Sequence, residues 1–280
     1  MYKLYEKVPK SKEYMHGSRL MEDNENPFLE GPCLLCISGQ YDNSIAPKSN
    51  FGVTKTGMRM ARLRVRGEKN AGFSLKDFPV KFLSIQVDER NDKRGEKFVE
   101  KYLVPLISKN GQRIDCIQAM KNMRNVNIMS YCDGKVLAQE FENNLISRMK
   151  QLGYTEEECK EIQSQMCMFQ IATKRLTGAQ KSTCISFKDI NDTEVNDNVT
   201  SEERKEVLES PLEERVFSHS ENEISYLFNG DGDHSLKKYT RVGKALPVCL
   251  SSAISKALEN SIANFSGQHF IPVSARTTCS

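Results

Sequence analysis

Cys132 is the side chain that the sequence places best for nucleophilic chemistry. The alternating apolar run 126–129 is typical of a strand, and it ends at a turn of small residues, 130–134 (Ser-Tyr-Cys-Asp-Gly). Beyond the turn, apolar residues recur at helical spacing, at Val136, Leu137, Phe141, Leu145 and Met149. The stretch is therefore predicted to be a strand, a tight turn and an amphipathic helix. A thiol on the first helical turn is favoured as a thiolate, because unpaired backbone N–H groups and the positive end of the helix dipole lie beside it. The alternative is a buried structural cysteine at a strand end.

The turn Ser130-x-Cys132-x-Gly134 resembles the nucleophile elbow of the α/β-hydrolase fold, in the variant with a cysteine nucleophile found in dienelactone-hydrolase-like members. Ser130 stands where the common form has its first glycine. The resemblance spans about 32–262. It implies a single-domain α/β fold, with a mostly parallel central sheet and helices on both faces, and a reaction that uses no cofactor and no metal.

The family order of nucleophile, acid and base is matched by Cys132, Asp192 and His234. Asp192 lies in the polar loop after a predicted strand through 184–187, where Asp189 is the second candidate and an Asx-type turn is the alternative. His234 follows the predicted last strand, 223–228, in a glycine-rich loop. The imidazole would deprotonate the thiol, and the carboxylate would fix the tautomer of the imidazole.

The resemblance also implies an oxyanion hole. One donor would be the backbone N–H of Asp133, and another would come from Gly39 and Gln40, which follow the first predicted buried strand. A glycine there lets the backbone approach a substrate closely. The alternative is that Ser38 and Gly39 form a simple turn.

The elements that must position these residues follow an alternating order. Buried strands are predicted at 33–37 and 79–88, then a helix that carries Phe98, Tyr102, Leu103 and Leu106 on one face, and another helix at 115–123. Gly153 is predicted to end the helix after Cys132, and Thr155 to begin a new one with a capping box. Residues 166–173 fit either the continuation of that helix or a strand. Alternation of strands and helices predicts an α/β fold with a mostly parallel sheet.

The ends of the chain are less regular. Residues 1–30 are predicted to form an N-terminal arm or edge strands, and 31–280 the α/β domain. Within that domain, 196–215 is acidic and reads as a solvated helix or an excursion beside the sheet. An amphipathic helix is predicted at 248–262.

Composition excludes several classes of protein. The net charge of +3, from 40 basic and 37 acidic residues, gives no general electrostatic case for nucleic-acid binding. No apolar stretch is long enough to span a membrane, and the first residues lack the apolar core of a secretory signal. Nine cysteines, an odd number scattered among apolar residues, indicate reduced thiols and a cytoplasmic protein. Export without a classical signal stays open.

Three other motifs have simpler explanations. Cys33-x-x-Cys36 lies inside an apolar run and has no second ligand pair, so two buried core cysteines are expected rather than a zinc or redox site. The acidic loop 229–235 lacks the glycine and glutamate that an EF-hand needs. The arginine-rich segment 59–66 is either an anion-binding stretch or a solvated face.

Together these features predict a hydrolase or acyltransferase that uses Cys132, His234 and Asp192 as its catalytic residues. Its substrate would be an ester or a thioester, either a small molecule or an acylated partner. The alternative is a non-catalytic α/β interaction protein with a buried, inert Cys132. In that case the acidic segment 196–215 and the basic segment 59–66 would contact protein partners.

Overall fold

The structure is a computed structural model, and it describes residues 2–8, 11–13, 18–37, 80–87, 94–131, 134–171, 183–189, 216–220 and 223–228. The strands in chain order are β1 (Tyr2–Lys7), β2 (Ser18–Leu20), β3 (Cys33–Ile37), β4 (Lys81–Val87), β5 (Ser108–Lys109), β6 (Gln112–Arg113), β7 (Val126–Tyr131), β8 (Cys167–Ile171), β9 (Thr183–Asp189), β10 (Val216–Ser220) and β11 (Glu223–Phe228). The helices are α1 (Pro27–Glu30), α2 (Arg94–Phe98), a π-helical turn (Val99–Leu103), α3 (Val104–Ile107), α4 (Cys116–Met123), α5 (Gly134–Gln151) and α6 (Glu156–Ser164).

Nine of the described strands form one mixed sheet, in the order β10-β11-β9-β8-β7-β3-β4-β1-β2. The six strands from β11 to β4 are parallel to one another. Antiparallel strands flank this parallel set at both edges of the sheet: β10 pairs with β11 at one edge, and β1, followed by β2, pairs with β4 at the other. The predicted α/β class with a mostly parallel sheet is therefore confirmed.

The described helices share one core with one face of this sheet, which we call the helix face. Its strand residues include Cys33, Leu35, Ile128 and Met168, which alternate along their strands as the pleat requires. Each helix contributes buried side chains to the same cluster, among them Phe28, Phe98, Ala119, Phe141 and Ile162. Burial of this apolar surface is the main stabilising term of the fold.

The opposite face of the central strands is buried as well. Leu34, Cys36, Phe82, Met129 and Phe169 point away from the helix face, and each is at most 1% exposed. Strands that are buried on both faces read as continuous apolar runs. This explains why the sequence Cys-Leu-Leu-Cys-Ile of β3 shows no alternation.

The helix that carries Phe98, Tyr102, Leu103 and Leu106 is interrupted in a way that the sequence analysis did not predict. These four side chains are buried as expected, but the middle of the helix is a π-helical turn. Pro105 follows it in α3 and has no N–H to donate to the preceding turn. The carbonyl oxygen of Tyr102, within the π-helical turn, accepts a hydrogen bond from the side-chain Nδ2 of Asn26 at 3.0 Å.

The boundaries around α5 and α6 follow their predicted signals. Gly153 ends α5 with φ 85°, a backbone angle that favours glycine. Thr155 caps α6 in a complete capping box with Glu158. Residues 167–171, which fitted either a helix or a strand, are strand β8. Val136 is the exception in the predicted apolar face of α5, because it is 42% exposed.

Candidate active site at the carboxyl edge of the sheet

The turn that carries the candidate nucleophile joins a central strand to a long helix. β7 ends at Tyr131 and α5 begins at Gly134, so two residues, Cys132 and Asp133, connect them. These two residues lie outside the part of the chain that the structure describes. The predicted strand before them and the predicted helix after them are both confirmed.

Gly134 lies against the end of the neighbouring strand β3. A Cβ atom built on Gly134 would be 2.8 Å from the carbonyl oxygen of Ile37, closer than real Cβ atoms approach. The atom it would meet belongs to the backbone, so it could not move aside cheaply. The start of α5 can therefore pack against the carboxyl end of β3 only because residue 134 has no side chain.

The connections of β3 and β7 leave these adjacent strands in opposite directions. The chain passes from β3 to β4 on one side, and from β7 through α5 and α6 to β8 on the other. The point between two such strands is a topological switch point, where ligands of open α/β sheets bind beyond the carboxyl ends. Gly39 and Gln40 follow β3, and Cys132 follows β7, although these three residues lie outside the described ones.

The candidate acid and base follow two other strands of the parallel set. Asp192 comes three residues after the end of β9, and His234 comes six residues after the end of β11. Both lie outside the described residues. The reserve acid Asp189 is the last residue of β9, paired in register with Phe228 of β11. Because β7, β9 and β11 are parallel, the segments that carry the three candidates all leave from the same edge of the sheet.

Cys33 and Cys36 are core residues, as the sequence predicts. Both are 0% exposed, and they point to opposite faces of the sheet because they are three positions apart in a strand. The Cys33 Sγ lies 3.3 Å from the carbonyl oxygen of Pro27. Burial raises the pKa of the Cys33 thiol well above its ordinary value. The pair therefore does not form a chelate, and Cys33 is not a reactive thiol at neutral pH.

Two buried polar residues on the helix face, close to the carboxyl ends of β7 and β8, were not predicted from the sequence. Ser130 of β7 pairs in register with Gln170 of β8, and their exposures are 1% and 2%. Ser186 of β9 and Ser225 of β11 occupy the next two register positions. The available signal was a polar residue near the end of each apolar strand, but only the register shows that these residues form one row.

Two negative findings apply to the described residues. None of the helices there is both long and apolar enough to cross a membrane. Within the same ranges, no group of three or more His, Cys, Asp or Glu side chains is arranged to hold a metal ion.

Comparisons with known proteins do not assign the chain to a family. No family matches the sequence, and no curated protein matches it.

Proposed function

We propose that this protein is a cysteine-dependent hydrolase or acyltransferase that acts on an ester or a thioester. The observation that carries the proposal is the position of the Cys132 turn. It lies between the end of β7 and the start of an 18-residue helix, at the switch point between β3 and β7. A helix N-terminus is one of the environments that lower the pKa of a cysteine thiol, and ligands of open α/β sheets bind at such switch points.

The packing around the turn supports the same role. The close approach of Gly134 to Ile37 brings the first turn of α5 to the end of β3. The backbone N–H of Asp133 and one from the segment with Gly39 and Gln40 would then belong to adjacent strand ends. Two such donors would hold the oxyanion of a tetrahedral intermediate.

The proposed reaction proceeds in two steps. His234, oriented by Asp192, takes the proton of Cys132 while the thiolate attacks the acyl carbon, and the alcohol or thiol leaves with a proton from the imidazole. Water, or another acceptor, then attacks the thioester formed on Cys132 and gives its proton to His234. The products are the free acid or the transferred acyl group, and the thiol is regenerated.

The test is hydrolysis of a panel of chromogenic esters and thioesters by the wild type and by Cys132→Ala. The proposal expects turnover by the wild type of at least one substrate and loss of at least about a thousandfold in the variant, as is typical when a nucleophile is removed. Thermal unfolding of both proteins is the control. Equal turnover by the two proteins would contradict the proposal. If Cys132→Ala instead lowers the melting temperature strongly and no substrate turns over, the non-catalytic alternative with a buried Cys132 is favoured.

A further inference from the structure

The tip of the β5–β6 hairpin is an exposed Asn-Gly pair. Lys109 and Gln112 pair in register, so Asn110 and Gly111 are the two residues of the turn between them. Both have positive φ angles, 54° for Asn110 and 76° for Gly111, as a type I′ turn requires. All four of these residues are exposed. The chain has a second Asn-Gly pair at 229–230, which lies outside the described residues.

Asparagine is thermolabile because its side-chain amide can be lost. The backbone nitrogen of the next residue, here Gly111, attacks the side-chain Cγ of Asn110 and gives up its proton to hydroxide. The new C–N bond closes a cyclic imide, the bond from Cγ to Nδ2 breaks, and the amide nitrogen takes a proton from water and leaves as ammonia. Water then opens the imide at either carbonyl, which leaves aspartate or isoaspartate in the chain.

The surroundings of Asn110 leave its side chain free to react. The side chain forms no hydrogen bond within the described ranges. Glycine at position 111 has no side chain that would hinder the approach of its own nitrogen to Cγ. A Cβ atom built on Gly111 would have no other atom within 4 Å, so the space beside the turn is open. Water and hydroxide therefore have access to both reacting groups.

The tip of the hairpin can open without disturbing the core. A two-stranded hairpin is marginally stable by itself, and exposed segments with few buried contacts open at low cost in free energy. The base of the hairpin is held separately. The Ile114 N–H donates to the carbonyl oxygen of Ile107 at 3.1 Å, and the Tyr154 hydroxyl donates to the carbonyl oxygens of both residues. Asn110 and Gly111 can therefore rotate into the geometry of ring closure while the rest of the protein stays folded.

We propose that Asn110 is a site of spontaneous deamidation in the folded protein. The reactants are the chain itself and water, ammonia is released, and the products are aspartate and isoaspartate at position 110. Each conversion adds one negative charge to a chain whose formal net charge is +3. Isoaspartate also inserts a carbon atom into the backbone, which a two-residue type I′ turn does not accommodate. The inference is independent of the proposed function, because it uses no residue of the candidate active site.

The chain offers an internal control and a matched variant. The Asn122 amide is held at both atoms: Nδ2 donates to the Leu106 carbonyl oxygen at 2.8 Å, and Oδ1 accepts from Gln118 Nε2 at 2.8 Å. The residue after Asn122 is a methionine, whose side chain hinders ring closure. Gly111→Ala keeps Asn110 and adds only a Cβ atom beside the attacking nitrogen.

The experiment incubates the full chain in water enriched in heavy oxygen, at neutral and at mildly alkaline pH, and then digests it in ordinary water for peptide mass spectrometry. Heavy oxygen enters when the cyclic imide is hydrolysed, so it marks conversions that preceded digestion. Thiols of Cys33 and Cys36 that resist alkylation, both 0% exposed, show that the protein stayed folded. Parallel incubations of the wild type and Gly111→Ala in urea give rates in which the conformation of the turn plays no part.

We expect the Asn110 peptide of the folded wild type to gain a labelled carboxylate, and to do so faster at the higher pH, because the attacking nitrogen must lose its proton. The Asn122 peptide should stay unmodified, and Gly111→Ala should convert several-fold more slowly than the wild type in urea. Conversion of Asn110 in urea but not in the folded protein would show that the turn protects it, and would overturn the inference. Equal rates for Asn110 and Asn122, or for Gly111→Ala and the wild type in urea, would overturn it as well.

Discussion

Gly134 lies two residues after the candidate nucleophile. It packs closely against the backbone of Ile37, which leaves no room for a side chain. Gly134→Ala would place a Cβ atom 2.8 Å from the carbonyl oxygen of Ile37. We expect the free energy of unfolding to fall by about 1–3 kcal/mol, as overpacking of a buried contact usually costs. The gain in helix propensity, up to about 1 kcal/mol, acts in the other direction. Urea denaturation measures the difference. Ser147→Ala, at an exposed position of α5, is the control and should not destabilise the protein.

Tyr154 gives a prediction that depends on pH. Its hydroxyl lies 2.7 Å from the carbonyl oxygen of Ile107 and 2.9 Å from that of Ile114, and it donates its hydrogen to them. Burial, the largest cause, raises the pKa of Tyr154 from 10.0 to about 12. The folded protein thus keeps a proton that the unfolded chain loses above pH 10. The stability that this provides is complete below pH 10 and is lost as the pH rises towards 12.

The matching variant is Tyr154→Phe. We expect it to lower the free energy of unfolding by about 1–2 kcal/mol near neutral pH, because two backbone carbonyls lose their donor. Between pH 10 and 12 the difference from the wild type should shrink, by at most about 1.4 kcal/mol per pH unit. Urea denaturation at a series of pH values measures both effects. A difference that stays constant across this range would contradict the raised pKa.

At the scale of elements, the start of α6 depends on its capping box. Thr155 Oγ1 accepts a hydrogen bond from the backbone N–H of Glu158 at 3.2 Å, and the Glu158 carboxylate accepts one from the Thr155 N–H at 2.8 Å. Arg113 pairs with the same carboxylate at 2.7 Å. The Thr155 N–H and the Arg113 guanidinium lower the pKa of the Glu158 carboxyl group. The end of the β5–β6 hairpin and the start of α6 are thereby joined.

We expect Thr155→Ala to lower the free energy of unfolding by about 1 kcal/mol, the usual effect of losing an N-cap. Thr155→Ser keeps the hydroxyl group and should stay within a few tenths of a kcal/mol of the wild type. Chemical denaturation of the two variants provides the comparison. Equal losses in both would show that the threonine methyl group, and not the cap, is what matters.

Elements with strong local signals could be predicted from the sequence, and elements set by distant contacts could not. Thr155 caps its helix as expected because capping depends on neighbouring residues. Residues 167–171 stayed ambiguous because a short apolar run fits a buried strand and a helix equally well. The π-helical turn next to Pro105 was missed, since helical spacing of apolar residues does not distinguish it from a regular helix.

At the scale of the whole molecule, the class of fold was predictable but the order of the strands was not. The alternation of strands and helices indicated a parallel sheet. The reversal from β4 across β3 to β7 depends on pairings between residues far apart in the sequence. The same limit applies to the candidate site. The Cys132 turn is visible as a motif, whereas the row of Ser130 and Gln170 exists only in the register of separate strands.

We propose that Cys132 is a thiolate nucleophile coupled to His234. The most direct test is mass-spectrometric mapping of iodoacetamide labelling over all nine cysteines of the folded protein across pH, in the wild type and in His234→Ala. We expect Cys132 to label fastest at neutral pH and its labelling to slow when the imidazole is removed, while Cys33 and Cys36 stay protected. Protection of Cys132 while other cysteines react, or a rate unaffected by His234→Ala, would contradict it.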